Sequence, residues 1–169
     1  MSTIPYPKRG ATGEASRVVS FSPSQVYAII SNPTEIPNWS PECHTVELVE
    51  PSQPVRVGTR FKGINKDAYL SWTTICKVER MTENKEFTFR IIKGVFMART
   101  RWLYLLQPEN GGTRITERYE IIRANPWPIR QFTMGKRHDN DELRPINLVR
   151  NIEKSLENLE KFLRSVYGV

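Results

Sequence analysis

The chain has 169 residues, which is enough for one domain with a substantial core and too few for two ordinary domains. Hydrophobic residues make up 38% of it and aromatic residues 10%, as in folded proteins, and no apolar run approaches the ~20 residues that span a bilayer. The formal net charge of +7 is spread along the chain, and no zinc-finger, RNP-type or P-loop pattern accompanies it, so no specific nucleic-acid site is expected.

The N-terminal residues 1–14 are predicted to be a flexible leader. Their first ten positions contain two prolines, a glycine and two basic residues. They lack the apolar segment of a signal peptide, so we expect a cytoplasmic protein. A short β-rich segment, ASRVVSF at 15–21, then begins a single domain that we expect to cover 15–169.

The next segment has the signature of a short amphipathic helix. Ser22 is a suitable N-cap, Pro23 follows it at the first helical position, and Gln25 lies at the capping-box spacing. Apolar residues then share one helical face, at Val26, Ile29 and Ile30. The helix must end before Pro33, because a proline disfavours helical geometry in the residue before it.

Three prolines, Pro33, Pro37 and Pro41, lie four residues apart and allow at most a single helical turn, around 34–36. Trp39 lies between the last two prolines. It could be a lid on a pocket, or a plug between the short helices and a sheet. The plug is favoured, because a tryptophan held between prolines loses little conformational entropy on packing.

Six segments with apolar residues at alternate positions follow, separated by turn residues. This period predicts an antiparallel meander with one buried face. The predicted strands are 44–50, 59–65, 69–80, 85–92, 97–108 and 113–122.

The end of the chain has a helical period instead. From Val149 the apolar residues are spaced by three and four, which predicts one apolar stripe on a long helix that packs on the sheet. Pro145 marks its first turn or a kink near its start. The stripe consists of Val149, Ile152, Leu156, Leu159, Leu163 and Val166.

This order of elements resembles the helix-grip fold of the START-like or SRPBCC superfamily. The segments SPSQVYAIISNPTEIPNWSPE, VGTRFKGIN, WTTICKV, FTFRI, RWLYLLQP and GGTRITE are similar, in that order, to its polyketide cyclase/dehydrase and lipid-transport family. The resemblance is close over 16–120 and holds in outline over 149–169. It implies an α+β fold of the order β-α-α-β6-α, in which a seven-stranded curved antiparallel sheet wraps around a long C-terminal helix and encloses a cavity. The superfamily includes carriers, receptors and enzymes, so the fold does not fix a reaction.

Inward-facing side chains of such a sheet would line the cavity. Aromatic residues dominate these positions, as in small-molecule pockets, although each could equally fill a core. The predicted ligand-binding residues are Trp39, Phe61, Trp72, Cys76, Phe87, Phe89, Trp102 and Tyr119.

Glu117 is the leading candidate for chemistry. Its alternation with Ile115 and Tyr119 points the carboxyl inward, where burial would raise its pKa and suit it to general acid/base catalysis. Tyr104 and Asn65 could donate hydrogen bonds that polarise a ligand carbonyl. Alternatively, Glu117 forms a salt bridge with an arginine or is turned outward by a bulge, and Tyr104 and Asn65 bond to each other or to the backbone.

No metal or cofactor site is expected. His44 and His138 are the two histidines, Cys43 and Cys76 lack metal-ligand spacing and are expected to be small buried residues, and nucleophile-elbow and phosphate-loop motifs are absent. The segment 123–145, which contains His138, is expected at the cavity entrance. The neighbouring KRHDNDE favours a solvated charge run over an acid/base pair of His138 and Asp139.

Two functions remain. The protein could be a cofactor-independent cyclase or dehydratase of polyketide-like substrates, with a basic surface that docks an acidic acyl carrier protein. It could instead be a non-catalytic carrier or sensor of a hydrophobic ligand. A charge-driven binder of nucleic acid or of a membrane surface is a third, less supported class. In the first two cases the partner is a hydrophobic small molecule, and the protein is a monomer or homodimer.

Overall fold

The computed structural model describes residues 9–67, 71–94, 99–123 and 144–168. The chain runs through β1 (Thr12–Val19), α1 (Pro23–Ile30), a 3₁₀ helix (Pro33–Asn38), β2 (Cys43–Leu48), β3 (Arg60–Lys66), β4 (Ser71–Thr82), β5 (Glu86–Gly94), β6 (Arg99–Glu109), β7 (Gly112–Arg123) and α2 (Arg144–Tyr167). The seven strands form one antiparallel sheet in the order β1-β7-β6-β5-β4-β3-β2. This curved sheet and its closing helix confirm the helix-grip fold.

The first strand begins at Thr12, earlier than the expected start at Ala15. Thr12, Gly13 and Glu14 pair with residues 118–120 of β7, which is long enough to offer a partner to every residue of β1. Ordered sheet therefore starts inside the segment that was expected to be a leader.

The capping box of α1 is present as predicted. The Ser22 side chain accepts a hydrogen bond from the Gln25 amide at 3.2 Å, and the Ser22 amide donates to Gln25 Oε1 at 2.9 Å. The 3₁₀ helix is longer than the predicted single turn. The Glu35 amide donates to the Asn32 carbonyl and the Trp39 amide donates to the Ile36 carbonyl, so neither bond requires the N–H that Pro37 lacks.

The core lies between the concave face of the sheet and α2. The middle of the predicted stripe is buried as expected, but its ends differ. Leu148 is buried where Val149 was expected, and Val166 is 47% exposed. Tyr167 takes the place of Val166: its ring packs 5.8 Å from that of Phe21, and its hydroxyl donates to the Gln25 carbonyl. The buried residues of the stripe are Leu148, Ile152, Leu156, Leu159 and Leu163.

Ion pairs neutralise much of the basic surface. Arg101 on β6, for example, donates to Glu79 at 2.6 Å and to Glu120 at 2.8 Å. Glutamates of the same chain pair with Arg17, Arg60, Arg80, Arg90, Arg101, Arg114, Arg118 and Arg164. Within the described ranges, no helix is both long and apolar enough to cross a membrane.

Candidate functional site

A cavity of about 100 Å³ lies between the sheet and α2. Its walls come from β2 to β7, from the 3₁₀ helix and the turn that follows it, and from the first half of α2. The three predicted catalytic residues, Asn65, Tyr104 and Glu117, all line it. Three residues that the alternating pattern placed on the inner face thus meet at one cavity, from three different strands.

Glu117 is buried at the wall of this cavity. Its residue is 4% exposed and lies directly opposite Tyr104 in the pairing of β6 with β7. The Tyr104 hydroxyl donates to Glu117 Oε1 at 3.0 Å. Glu117 therefore faces inward, and no bulge turns it towards solvent.

A relay of donors fixes the direction of the Tyr104 hydroxyl. Trp39 Nε1 donates to the Tyr104 oxygen at 3.2 Å, so the tyrosine proton is directed at Glu117. Burial raises the pKa of Tyr104 well above its ordinary value, and the nearby Glu117 carboxylate raises it further. Tyr104 thus remains a protonated donor across the physiological range.

The environment of Glu117 favours its neutral form more than water would. Burial raises its pKa to about 7, while hydrogen bonding to the Ser155 and Tyr104 hydroxyls lowers the pKa and limits the rise. Oε2 is buried and has no hydrogen-bond partner among the described residues, and no described arginine or lysine forms an ion pair with this carboxyl. The alternative of a salt bridge is therefore not found in the described part of the chain.

Asn65 lines the cavity with its amide already engaged. Its Nδ2 donates to the Gly63 carbonyl and to Thr74 Oγ1, both at 3.3 Å. Asn65 would have to release one of these bonds before it could donate to a ligand carbonyl.

Four of the predicted ligand-binding residues form the less polar part of the wall. Phe61 and Phe89 pack edge to face with ring centroids 5.2 Å apart, and Phe61 lies opposite Cys76 in the pairing of β3 with β4. Trp102, on β6, is half-buried. The residues in this group are Phe61, Cys76, Phe89 and Trp102.

Trp39 lies behind the cavity rather than in its wall. It is fully buried, its ring centroid is 6.2 Å from that of Phe162 on α2, and its carbonyl accepts a hydrogen bond from Asn158. Trp39 therefore takes the position of the plug and reaches the cavity through Tyr104.

The other three predicted ligand contacts also lie outside the described lining. Phe87 is fully buried in the core, 6.0 Å from Phe89. Trp72 is half-buried on β4. The Tyr119 ring lies across Gly13, where an added Cβ would come within 2.5 Å of it. An inward orientation thus does not separate a cavity wall from a packed core.

Residues of α2 and of the turn before β2 were missed by the sequence reasoning. Ser155 is buried beside Glu117, and Asn151 Nδ2 donates to Glu42 Oε1 at 2.9 Å. Ser155 lies three residues after Ile152 and four before Leu159, so its place on the apolar stripe was a signal that could have revealed it.

The two cysteines of the site are thiols of low reactivity. Burial raises the pKa of Cys43 to about 11 and that of Cys76 to about 12. A protonated thiol is a poor nucleophile and a poor metal ligand. Among the described residues, no three His, Cys, Asp or Glu side chains are grouped so that they could hold a metal ion. His138 and the rest of 124–143, where the entrance was expected, lie outside the described residues.

Comparisons with known proteins agree with this geometry. The sequence model of a family described as polyketide cyclase / dehydrase and lipid transport matches residues 11–164. No curated protein matches the sequence significantly.

Several solved structures share the fold. TTHA0849 from Thermus thermophilus is 18% identical, with a TM-score of 0.69 over 92% of this chain and 99% of that one. The polyketide-cyclase-like protein Cgl2372 from Corynebacterium glutamicum is 27% identical, with a TM-score of 0.58 over 92% and 93%. The di-domain ARO/CYC protein StfQ from the steffimycin biosynthetic pathway is 15% identical, with a TM-score of 0.69 over 94% of this chain and 52% of StfQ.

Proposed function

The chain belongs to the polyketide cyclase/dehydrase and lipid-transport family, and we propose that it binds a small hydrophobic or aromatic molecule in its cavity and uses Glu117 as an acid/base group. One observation carries the proposal: Glu117 lines an aromatic cavity, and its Oε2 is buried without a hydrogen-bond partner among the described residues. Such a group is costly to bury unless a ligand or a proton compensates it.

The pKa of the Glu117 carboxyl suits acid/base catalysis. A carboxyl with a pKa of about 7 exchanges protons readily at neutral pH. In dehydration or aldol cyclisation, the Glu117 carboxylate would remove a proton next to a carbonyl and later return one to the leaving or newly formed oxygen. Tyr104 would hold the carboxyl in place through its hydrogen bond to Oε1. No cofactor is required for these steps.

A non-catalytic carrier or sensor is the second candidate. It is favoured because the hydrogen-bond donors of Asn65 and Tyr104 are already engaged within the protein. The Asn65 amide and the Tyr104 hydroxyl already donate within the protein, so in this arrangement neither stabilises a developing enolate. A carrier needs only a cavity of suitable shape and an aromatic wall.

The partners follow from the same proposal. If the substrate arrives on a carrier, an acidic acyl carrier protein would dock on the remaining basic surface, where Lys77 and Lys93 form no ion pair with described residues. The protein would act in the cytoplasm, in secondary metabolism or lipid transport, as a monomer or homodimer.

A screen of aromatic and acyl ligands against tryptophan fluorescence tests binding, because Trp102 lines the cavity. The Glu117→Gln variant then separates the two candidates. Glu120→Gln is the matched control, because Glu120 lies on the same strand with a 38% exposed side chain paired to Arg101.

For an enzyme, Glu117→Gln lowers turnover by about 10²–10⁴-fold, while the affinity for an uncharged ligand changes by only a few-fold and Glu120→Gln behaves as wild type. Binding without turnover indicates the carrier. Failure of every ligand to bind refutes the proposed function, and equal turnover in wild type and Glu117→Gln refutes the acid/base assignment.

A further inference from the structure

The hydrogen-bond donors of the cavity wall are largely used within the protein. Asn65 donates to Gly63 and Thr74, Tyr104 donates to Glu117, and Asn151 donates to Glu42. The thiols are also engaged: Cys76 Sγ donates to Thr74 Oγ1 at 3.8 Å, and Cys43 Sγ donates to the Thr45 carbonyl at 3.7 Å. These donors are therefore engaged within the protein before a ligand binds.

One acceptor group of the wall, the Glu117 carboxyl, is in the opposite state. Because Trp39 donates to the Tyr104 oxygen, the Tyr104 proton points at Glu117 and holds this carboxyl as an acceptor. Its second oxygen, Oε2, is buried and lacks a partner among the described residues. Ser155 also lies beside the carboxyl and lowers its pKa, which favours the ionised form. The site is thus prepared for a ligand that donates.

The rest of the described lining fits a positively charged donor. Glu42 contributes a second carboxyl group to the wall, and no lysine, arginine or histidine is among the described lining residues. Phe61, Phe89 and Trp102 present aromatic surface, which attracts cations through the negative face of the ring. Both features disfavour an anionic ligand.

We propose that the ligand is a small organic cation, a protonated amine on a single ring or a short apolar chain, whose N–H donates to the Glu117 carboxylate while its apolar part lies against Phe89 and Trp102. The conclusion rests on the proposed function, because it assigns the ligand of the same cavity. The cavity volume of about 100 Å³, somewhat below the roughly 150 Å³ of a cavity that holds benzene, limits the enclosed part of the ligand to a single ring or a short chain.

The amine should bind in a pH-dependent way. An alkylamine stays protonated from pH 5.5 to pH 8, whereas Glu117, with a pKa of about 7, becomes ionised over this interval. The other titratable groups of the described wall are Tyr104 from β6, Cys76 from β4, Cys43 from β2 and Glu42 from the turn before β2; the described lining of α2 adds none. The pKa of Tyr104 is well above 10.0, and the pKa values of the thiols are about 11 and 12, so these three groups stay protonated.

Three benzyl probes of similar shape test the charge of the ligand. Benzylamine, benzyl alcohol and benzoate are titrated into the full chain at pH 5.5 and pH 8, with binding followed by tryptophan fluorescence and calorimetry. We expect benzylamine to bind at least about 10-fold more tightly than benzyl alcohol at pH 8, in line with a desolvated cation–carboxylate contact, and benzoate to bind most weakly. At pH 5.5 the preference should fall to less than about 3-fold.

Two variants assign the effect to one carboxyl. Glu117→Gln should remove the preference for benzylamine and keep the affinity for benzyl alcohol, whereas Glu120→Gln, which changes a partly exposed carboxyl paired with Arg101, should keep the preference and its pH dependence. The wild-type pH series needs no substitution, so it remains decisive even if a variant does not fold.

Equal or tighter binding of benzyl alcohol or benzoate at pH 8 overturns the cation assignment, as does a preference that survives Glu117→Gln. Failure of all three probes overturns it as well. If neutral ligands bind without any charge preference, the cavity function stands and the cation assignment alone fails. If the wider ligand screen is also negative, the proposed function fails with it.

Discussion

Replacing Glu117 with glutamine keeps the shape of the side chain and removes its charge, so this change measures the cost of ionising a buried carboxyl. Burial raises the pKa of Glu117 in the folded protein from the ordinary 4.5 to about 7. Because the folded-state pKa is the higher one, the folded state binds the proton more tightly than the unfolded chain. Wild-type stability should therefore fall as the pH rises from about 4.5 and level off above about 7.

The magnitude follows from the two pKa values. Their difference corresponds to about 3 kcal/mol of unfolding free energy, and most of this is lost between pH 5 and pH 8. Glutamine places a buried N–H₂ group where Oε2 has no described partner, which costs about 1–3 kcal/mol at any pH. The informative quantity is therefore how the difference in unfolding free energy between wild type and Glu117→Gln changes with pH. The difference at a single pH also contains the constant cost of the buried amide.

The assay is urea denaturation of wild type and Glu117→Gln at pH 5 and pH 8, followed by tryptophan fluorescence. We expect the variant to gain about 2–3 kcal/mol relative to wild type between the two pH values. Glu120→Gln serves as the control, because its partly exposed ion pair with Arg101 should change stability by at most about 1 kcal/mol. A difference between wild type and Glu117→Gln that is the same at both pH values would refute the reasoning, since it would mean that the carboxylate is fully compensated in the folded state.

Two further predictions concern the scaffold of the site. Leu159→Ala, which truncates a fully buried side chain of α2, should lower the unfolding free energy by about 2–5 kcal/mol in urea denaturation; a loss below about 1 kcal/mol would show that the helix packs elsewhere. Cys76, whose pKa burial raises to about 12, should react with an aromatic disulfide reagent only on unfolding, so a labelling rate equal to that of a free thiol in the native protein would contradict its burial.

The strand pattern identified the inward side chains because successive residues of a strand point to opposite faces. Glu117, Tyr104 and Phe61 were assigned to the concave face from alternation alone, and all three are buried there. A one-residue error in phase would have reversed every assignment, and the buried apolar face fixes that phase. The orientation of the sheet residues was thus available from the sequence.

The sequence did not show which of the inward-facing residues line the cavity. Phe87 and Phe89 share a face of β5, yet Phe89 lines the cavity and Phe87 lies in the packed core. The difference depends on which helix covers each part of the sheet, and strand periodicity holds no information on that. Trp39 also faces inward, but it contacts Tyr104 from behind the wall.

The polar residues of α2 escaped prediction for a related reason. An apolar helical face is identified in the sequence from its apolar residues, so a serine on the same face is overlooked. Ser155 occupies such a position and lies beside Glu117. Glu117 itself needed this second element, because its pKa is set both by burial and by hydroxyl groups that come from β6 and α2.

The most direct test of the central claim is the titration of the Glu117 carboxyl itself by carbon-13 NMR, with the resonance assigned by its loss in Glu117→Gln. The claim is that this side chain is a buried acid without a counter-charge among the described residues, at the wall of a ligand cavity. It predicts a titration midpoint near pH 7 in the free protein, together with a shift of the midpoint to lower pH when benzylamine is added. A midpoint at or below the ordinary 4.5 would contradict it, because the carboxylate would then be stabilised by the protein alone.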